Sequence, residues 1–509
     1  MLGLSRLKQK LIQDEVLSMI KSIQQFGEVG VKILEKVIGK FVMDPENQAD
    51  FIYGVTESVT KLGLSIVEET LEEMDEELRN SAIRKKKWNI VKKDETTLLT
   101  SLGNVTYKKT LFINKENGER SYLLDQIMGL KSHARMTEDA EAKILEEAVE
   151  TSYRKGGKNA SYTDYVSKQT VKNKVHKLSF PVQTENITEK KKIKFLHINA
   201  DEDYVSAQFY VKKGDIEKQE GRKYNTFMPK LIYVYENIIP DTESKKVTKI
   251  RYKLQNPHFF GGMYEGKKNS ELWKEVETYI ENHYDMDYLE KVYICGDGAA
   301  WIKAGCNYID KSIFVLDKFH KNKYINDSVS HMMDSKSDAW DRITDCFSME
   351  DKKGFNRVYR ELKEYAEAES KKNAIEDARK YLLNNWDGIV IYNHEGNDIK
   401  GCSAEGHVSH IYSSRMSSRP LGWSRTGTDK MSRLRIYYYN GGNMLKLVRM
   451  QKEALPVAAG AEELSCGDML RNEKNQNGVV GKYFDALTHT LPHQQIKKIV
   501  TFKGHIWNL

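Results

Sequence analysis

The chain has 509 residues, of which 39% are hydrophobic and 30% are charged, a composition that excludes a disordered protein. At roughly 100–200 residues per domain, this length predicts two to four domains. The net charge of +7 is too small for this length to indicate a nucleic-acid partner by itself. No run of about 18 apolar residues occurs, so no membrane span is predicted. The five cysteines form no Cys-x-x-Cys pair, which argues against a cysteine-rich zinc site and favours a cytoplasmic protein.

Residues 1–90 are predicted to form a helical N-terminal arm. Apolar residues recur at steps of three and four, first from Val16 to Ile38 and then from Val55 to Leu78, and Pro45 separates the two stretches. No residue pattern in the arm indicates catalysis. We therefore expect a helical scaffold or a dimerisation arm.

Residues 91–180 are predicted to form a DNA-binding region. Period-two alternation between Leu98 and Ile113, interrupted at Gly103 and Asn104, predicts short strands joined by a tight turn. Residues 137–178 are predicted to be helical and compact, and the last helix of this stretch is interpreted as the second helix of a helix-turn-helix.

This last helix has the pattern of a recognition helix. Ser167 is a good N-cap, and Val171, Val175 and Leu178 would face inward. The outward positions carry hydrogen-bond donors suited to the major groove, namely Lys168, Gln169, Lys172 and Asn173. An ordinary basic surface helix has the same pattern, so the spacing alone leaves both interpretations open.

Residues 190–325 are predicted to form the first part of an α/β core of RNase H-like type. Apolar runs predict strands at 193–201, 204–210, 231–235, 292–296 and 312–316, with a helix at 270–290 before the fourth strand. Three strands, a helix, a strand, a helix and a strand is the element order of an RNase H-like fold.

An acidic residue stands at the end of the first and of the fourth predicted strand. An RNase H-like fold brings these two strand ends together. The first strand ends on Asp201 and the fourth on the Gly-flanked Asp297. Carboxylates at adjacent strand ends can hold two Mg²⁺ or Mn²⁺ ions. Asp203 is an alternative to Asp201, and an aspartate at a strand end can also be a simple turn former.

The third carboxylate is expected after a helical insertion. Residues 326–392 are highly charged, with apolar residues at helical spacing, and predict the insertion, while residues 393–509 would complete the core and form a C-terminal tail. Glu405 is the predicted third metal ligand. Glu395 and Asp398 are alternatives in a turn-like stretch.

The residues that follow Glu405 are rich in side chains that can contact DNA. The predicted DNA-binding residues of this stretch are Arg415, Arg419, Trp423 and Arg425. Trp423 could equally be an ordinary packing residue.

Three separated stretches carry a resemblance to a known family. They are NADEDYV at 199–205, GDGAAWI at 296–302 and CSAEGHVSH at 402–410, the last continuing into SSRPLGWS at 417–424. In these motifs the chain resembles the ISLre-type insertion-sequence transposases, which are related to the Mutator-like DDE transposases. Those relatives carry a Cys- or Asp-x-x-His signature that Asp317 and His320 match, so the resemblance implies a supporting role for both near the active site.

The resemblance also implies the substrate and the reaction. It implies double-stranded DNA with terminal inverted repeats, a target DNA, and a homo-oligomer associated with the nucleoid in the cytoplasm. Metal-dependent cleavage at the element end would be followed by strand transfer. The alternatives are an RNase H-like nuclease without strand transfer and a catalytically silent DNA-binding protein derived from a transposase. No GxGxxG or GxxxxGK[ST] pattern occurs, so a dinucleotide-dependent or P-loop enzyme is not predicted.

Overall fold

The computed structural model describes residues 21–131, 133–181, 189–208, 218–219, 222–223, 226–241, 251–419 and 421–453. Three parts of the predictions lie outside them: the start of the helical arm at Val16, residues 209–210 of a predicted strand, and the tail after residue 453. The chain divides into two compact units. The first comprises Met1–Glu146, Arg154–Lys168 and Val448–Leu509, and the second Glu147–Tyr153 and Gln169–Leu447.

The first unit begins with a helical hairpin. Helix α1 (Val31–Met43) continues from Lys21–Gln25 through a π-helical turn at Phe26–Gly30, and α2 spans Gln48–Asn80. Pro45 lies between α1 and α2, as predicted. The rings of Phe41 and Phe51 stack across the hairpin with centroids 4.5 Å apart.

An antiparallel sheet follows the hairpin after the short helix Ala82–Lys87. Its strands are β1 (Trp88–Leu99), β2 (Asn104–Asn114) and β3 (Arg120–Tyr122), followed by a helical turn at Leu123–Ile127. The predicted turn is confirmed, because the Thr100 backbone N–H and hydroxyl both donate to the Gly103 carbonyl at 2.9 Å. The helical prediction for residues 1–90 was wrong at its end, because β1 pairs with β2 as far as Trp88.

Helices α3 (Glu138–Glu150), α4 (Tyr153–Lys158) and α5 (Lys168–Lys177) cover the stretch predicted to be compact and helical. Helix α5 is the predicted recognition helix, and Val171, Val175 and Leu178 are buried, as expected. All of α5 except Lys168 belongs to the second unit.

A five-stranded sheet forms the centre of the second unit. Its strands are β4 (Phe195–Glu202), β5 (Lys230–Tyr235), β6 (His258–Gly262), β7 (Lys291–Gly296) and β8 (Ser312–Leu316). Their order across the sheet is β6-β5-β4-β7-β8. Strands β4, β5 and β6 are antiparallel neighbours, whereas β7 lies parallel to both β4 and β8.

The prediction for the second and third strands was wrong. The strand that returns beside β4 is β5, which was predicted as the third strand, and the actual third strand β6 was not predicted. In the described part of the predicted strand 204–210, Val205–Ser206 pairs with Thr226–Phe227 outside the main sheet. Two other short pairs complete the described strands: Lys218–Gln219 with Arg222–Lys223, and Asn237–Pro240 with Tyr252–Gln255.

Helix α6 (Asn269–His283), preceded by a 3₁₀ turn at Gly266–Lys268, covers one face of the sheet. Its buried residues Leu272, Trp273 and Val276 pack in one core with alternate residues of the central strands, among them Ile198 and Ile294. On strand β7, Tyr293 and Cys295 belong instead to a smaller apolar cluster with Val315 and Ile399. Because successive strand residues point to opposite faces, the central strands are buried on both sides.

The remaining elements of the second unit are mainly helical. Helix Ala300–Lys303 and the 3₁₀ turn Ala304–Asn307 precede β8. After β8 come α7 (Lys318–Val329), a 3₁₀ turn (Met333–Ser335), α8 (Lys336–Ser348), α9 (Lys352–Glu364), α10 (Glu369–Asn384) and α11 (Trp386–Glu395). The predicted insertion is therefore helical, and its helices share one core with residues of α7 and α11.

The chain continues with α12 (Ala404–Val408), a π-helical turn (Ser409–Ser413), the short helix Ser414–Met416, α13 (Arg425–Tyr439) and α14 (Met444–Glu453). Among the residues with assigned positions, no helix combines the length and the apolar character that a membrane crossing requires.

Candidate active site

Three aspartates lie at the carboxyl ends of neighbouring parallel strands. Strands β4 and β7 pair with Asn199 opposite Cys295, so Asp201 and Asp297, each two residues further on, reach the same edge of the sheet. Asp317 directly follows β8, and its backbone N–H donates to the Gly296 carbonyl at 2.9 Å. The structure therefore brings Asp201, Asp297 and Asp317 to one edge of the sheet.

The pKa of Asp201 is perturbed at this acidic edge of the sheet. Burial raises the pKa of Asp201 to about 7, and the negative charges of Asp297 and Glu202 act in the same direction. His320 lowers the pKa of Asp201, but its effect is the smaller one. A carboxyl group with such a raised pKa is typical of functional sites.

Asp317 and His320 form a pair beside these acids. Asp317 caps helix α7 by accepting a hydrogen bond from the Phe319 backbone N–H at 3.1 Å, and its other carboxylate oxygen lies 3.1 Å from Nδ1 of His320. This hydrogen bond raises the pKa of His320, and the charges of Asp297 and Asp201 act in the same direction. The pair can thus present a protonated imidazole to the acidic edge.

Sequence reasoning missed a second group at this edge, formed by Glu202, Lys230 and Trp301. Glu202 and Lys230 are cross-strand partners on β4 and β5, and the Lys230 ammonium lies 3.7 Å from the Glu202 carboxylate. The same ammonium lies 4.0 Å from the centre of the Trp301 ring, whose indole N–H donates to Glu202. Glu202 and Trp301 both lie in the quoted motifs, but the role of Lys230 becomes visible only when the strand register is known.

The turn after β7 holds Asp297 in place. The Ala299 backbone N–H donates to the Asp297 carboxylate at 2.8 Å, and the hydroxyl of Tyr381 on α10 donates to the Asp297 carbonyl. Gly298 has a φ of +90°, and a β-carbon there would lie 2.4 Å from the side-chain oxygen of Asn385. A glycine is required at this turn for both reasons.

Glu405 is not gathered with the strand-end acids. It lies on α12 with an exposed side chain. The segment itself is anchored on β5, because the hydroxyls of Ser403 and Tyr233 lie 2.8 Å apart and the His407 ring contacts Tyr233 at a centroid distance of 4.5 Å. Among the described residues, no group of three or more Asp, Glu, His or Cys side chains is arranged to hold a metal ion.

The structure argues against the alternative acids. Glu395 pairs with Lys291 and accepts a hydrogen bond from Tyr293 at 2.9 Å, at the end of β7 opposite to Asp297. The Asp398 backbone N–H donates to the Glu395 carbonyl at 3.0 Å, so Asp398 belongs to the same distant end. Asp203 accepts a hydrogen bond from the Ser417 hydroxyl at 2.8 Å and is buried, which indicates a structural role.

Two of the predicted DNA-binding residues are buried, which corrects their assignment to a DNA-facing surface. Arg415 and Trp423 are each only 6% exposed. The Arg415 side chain donates to the Ala148 carbonyl at 3.0 Å and lies 5.0 Å from the Trp423 ring, and the Trp423 indole donates to the Met416 carbonyl at 3.0 Å. Burial lowers the pKa of Arg415 to about 10. Both side chains therefore serve packing.

The other predicted DNA-binding residues remain accessible. Arg419 is exposed, and Arg425 is exposed and paired with Glu265 at 2.7 Å. On α5, Lys168, Gln169 and Asn173 are exposed and Lys172 is half-buried. The Gln169 amide donates to the Asn173 side chain at 2.8 Å, so the two amides lie on one outward side of the helix.

The fold and the site together define an α/β protein with an acidic cluster at the carboxyl ends of parallel strands. The chain belongs to an uncharacterised protein family, UPF0236, whose family model matches residues 47–454. The chain is 36% identical over 442 residues to the UPF0236 protein TTE0402 of Caldanaerobacter subterraneus subsp. tengcongensis, a match that covers 87% of this chain and 82% of that protein.

A further relative from the same organism bears a name that joins eleven numbered loci, from TTE0033 to TTE2212. It is 36% identical over 398 residues, covering 78% of this chain and 79% of that protein. The family is thus present in many copies in one genome, which is compatible with a mobile element.

Proposed function

We propose that the protein is a DDE-type DNA transposase, which cleaves DNA at the ends of an insertion sequence and joins the freed ends to a target. The observation that carries this proposal is the position of Asp201 and Asp297 at the ends of adjacent parallel strands, with the pKa of Asp201 raised to about 7. Many copies of the family in one genome support a mobile element over a single-copy repair nuclease.

The strand order supports an RNase H-like core for this enzyme. Three antiparallel strands form one side of the sheet, and two further strands lie parallel to the first of them. That arrangement places the ends of the first and fourth strands side by side, where the proposed chemistry needs its carboxylates.

The residues at this edge fit Mg²⁺ or Mn²⁺ as the cofactor. Carboxylate oxygens are the ligands that these hard cations prefer. Burial raises the pKa of Asp201, and the neighbouring charges of Asp297 and Glu202 add to this effect, so a bound cation would stabilise the ionised carboxylate. Asp201 and Asp297 would hold two ions. Glu405 is proposed as the third ligand from its sequence motif; in this structure it lies exposed on α12, apart from these acids, and would have to approach them to join the site. The chemistry that such ions supply when bound is activation of water and stabilisation of the leaving 3′ oxygen.

The chain's own side chains would orient this site. Asp317 fixes the ring of His320, and the protonated imidazole can donate to a DNA phosphate beside the acids. Lys230 and Trp301 hold Glu202, and with it the end of β4 that carries Asp201. These are positioning roles, since none of these groups needs to contact a metal ion.

The proposed partners are double-stranded DNA with terminal inverted repeats, a target DNA and further copies of this chain, with the protein associated with the nucleoid in the cytoplasm. The proposed DNA-contacting residues are Lys168, Gln169, Lys172, Asn173, Arg419 and Arg425. Basic and amide side chains of this kind bind phosphates and base edges.

Cleavage of element-end DNA by the full chain tests the proposal. We expect cleavage and joining in Mg²⁺ or Mn²⁺ and none in chelator. Asp201→Asn and Asp297→Asn should each reduce the rate by more than about a hundredfold without loss of DNA binding, because the ligands act as a unit. The matched control is Glu395→Gln, which removes a carboxylate at the opposite end of β7 and should keep its activity.

Other outcomes would select the alternatives. Cleavage without joining would identify a nuclease, and DNA binding without cleavage by the wild-type chain would identify a silent derivative. Full cleavage by Asp297→Asn would contradict the assignment of the acidic edge as the active site.

A further inference from the structure

The C-terminal end of helix α10 joins the helical insertion to the turn that carries Asp297. The Tyr381 hydroxyl donates a hydrogen bond to the Asp297 carbonyl. Asn385, which directly follows α10, is buried and lies so close to Gly298 that a β-carbon at Gly298 would clash with it. The Asn385 amide in turn donates to the Tyr381 carbonyl at 2.8 Å. Two side chains that are bonded to each other at the end of α10 therefore contact consecutive residues of this turn.

The ring of Tyr381 is itself held in place by a second aromatic ring. Tyr324 on α7 stacks on it, with the ring centroids 3.7 Å apart and an angle of 21° between the rings. Helix α7 is capped by Asp317, the aspartate that follows strand β8, and the helices of the insertion share one core with α7. The hydroxyl that reaches Asp297 thus belongs to a packed body that also contains Asp317.

The peptide that joins Asp297 to Gly298 can rotate unless its carbonyl is held. Gly298 has a φ of +90°, and glycine adopts positive and negative φ about equally readily. When such a peptide turns over, ψ of the residue before it and φ of the residue after it change together, as they do between type I and type II turns. Because the following residue is a glycine, this change meets little steric resistance. The hydrogen bond from Tyr381 opposes it.

A rotated peptide would release the carboxylate of Asp297. This carboxylate accepts a hydrogen bond from the Ala299 backbone N–H at 2.8 Å, and that bond closes a ring containing the Asp297–Gly298 peptide. Turning the peptide over breaks the geometry of the ring and leaves the carboxylate in several orientations. A cation would then bind only the fraction of chains in which the turn is ordered, so its apparent affinity would fall by that fraction.

We propose that the helical insertion sets the cation affinity of the acidic edge through Tyr381, a positioning residue that holds the Asp297 carbonyl. The proposal rests on the proposed function, because it takes Asp297 as a ligand of Mg²⁺ or Mn²⁺. In this role Tyr381 contacts neither the cation nor DNA and acts through Asp297. A purely structural role for its hydroxyl would instead lower stability and leave the cation affinity unchanged.

Mn²⁺ binding to the full chain with Tyr381→Phe tests the proposal. The substitution keeps the ring that stacks on Tyr324 and removes the hydroxyl. By calorimetry, we expect the Mn²⁺ affinity to fall about three- to tenfold, less than in Asp297→Asn, because the ligand itself remains. With element-end DNA, the Mn²⁺ concentration for half-maximal cleavage should rise by the same factor. The rate at saturating Mn²⁺ should stay within about twofold of wild type.

The matched control is Tyr359→Phe, which removes another tyrosine hydroxyl of the helical insertion. Tyr359 is buried on α9, and its hydroxyl lies 3.0 Å from the Ser328 hydroxyl on α7. This change therefore removes a contact between the insertion and α7 but leaves the hydrogen bond to Asp297 in place. Thermal unfolding in chelator measures the stability of both variants. The control should lose stability and keep its Mn²⁺ affinity.

The possible failures of this proposal and of the proposed function give different results. Wild-type Mn²⁺ affinity in Tyr381→Phe would overturn the role of the hydroxyl and leave the acidic edge as the metal site. Equal losses of affinity in Tyr381→Phe and Tyr359→Phe would also overturn it, because the insertion would then act through its overall packing. If the wild type binds no Mn²⁺, or Asp297→Asn binds it unchanged, the metal site itself is misassigned and the positioning role falls with it.

Discussion

The acidic edge and the arginine-rich stretch from Arg415 to Arg425 were both predicted to be functional from side-chain chemistry, and they differ in outcome. Asp201 and Asp297 come together as predicted, because parallel neighbouring strands deliver their carboxyl ends to one edge. In the arginine-rich stretch, Arg415 and Trp423 are buried. A strand end fixes where a side chain goes, whereas the direction of a helical side chain depends on the phase of its helix and on neighbours that the local sequence does not reveal.

Buried arginines in this region stabilise the end of a helix. Arg435 is 1% exposed and donates to the Val149, His410 and Ile411 carbonyls, while Arg415 donates to the Ala148 carbonyl. The last turn of a helix leaves its carbonyls without partners inside the helix, and cations are favoured there. The positive charges of Arg415 and Arg435 thus stabilise the fold of the second unit.

The largest expected difference between a buried and an exposed arginine of this region is in protein stability. Arg435→Met should lower the free energy of unfolding by about 3 kcal/mol, because it leaves several buried carbonyls without donors. Arg425→Ala, the exposed control from the same helix α13, should change it by less than about 0.5 kcal/mol. Urea denaturation monitored by circular dichroism measures both, and similar losses in the two variants would erase the distinction between buried and exposed arginines.

The acidic edge should make stability depend on pH. The pKa of Asp201 is raised in the folded chain, so the folded state binds the proton more tightly than the unfolded state between about pH 4 and pH 7. Stability should therefore fall as the pH rises through this range. In chelator, the wild type should lose roughly 2–3 kcal/mol more than Asp201→Asn between pH 5 and pH 8. Parallel pH profiles for the two chains would contradict the burial of the Asp201 carboxyl at this edge.

The ends of β4, β7 and β8 were predictable from the sequence because each of these apolar runs stops at an aspartate. The partners of these strands were not. Val205 continues an apolar pattern and was assigned to the second strand, but it pairs with Phe227 outside the main sheet. Strand β6 escaped prediction because it has only five residues and ends in two glycines, Gly261 and Gly262. Lys230 could be identified as a neighbour of Glu202 only from the strand register.

Substitutions on α5, where the predicted outward side chains are accessible, are expected to have a smaller effect, and this effect is on DNA binding. Changing Lys168, Gln169 and Lys172 together to alanine should weaken binding of element-end DNA by the full chain at least about tenfold, since a good base contact contributes about 1–3 kcal/mol. The control Lys353→Ala/Lys380→Ala removes the same number of positive charges, two, from exposed positions on the helical insertion. Equal losses in fluorescence-anisotropy titrations would show that only net charge matters.

Cation binding to the full chain tests the central claim most directly, because it needs neither a DNA substrate nor a complete reaction. Titration with Mn²⁺, followed by calorimetry or by the electron paramagnetic resonance of the free ion, should show binding that Asp297→Asn weakens at least about tenfold. Glu395→Gln should bind as the wild type does. Unchanged Mn²⁺ affinity in Asp297→Asn would contradict the account, because the strand-end carboxylates would then not be the metal ligands.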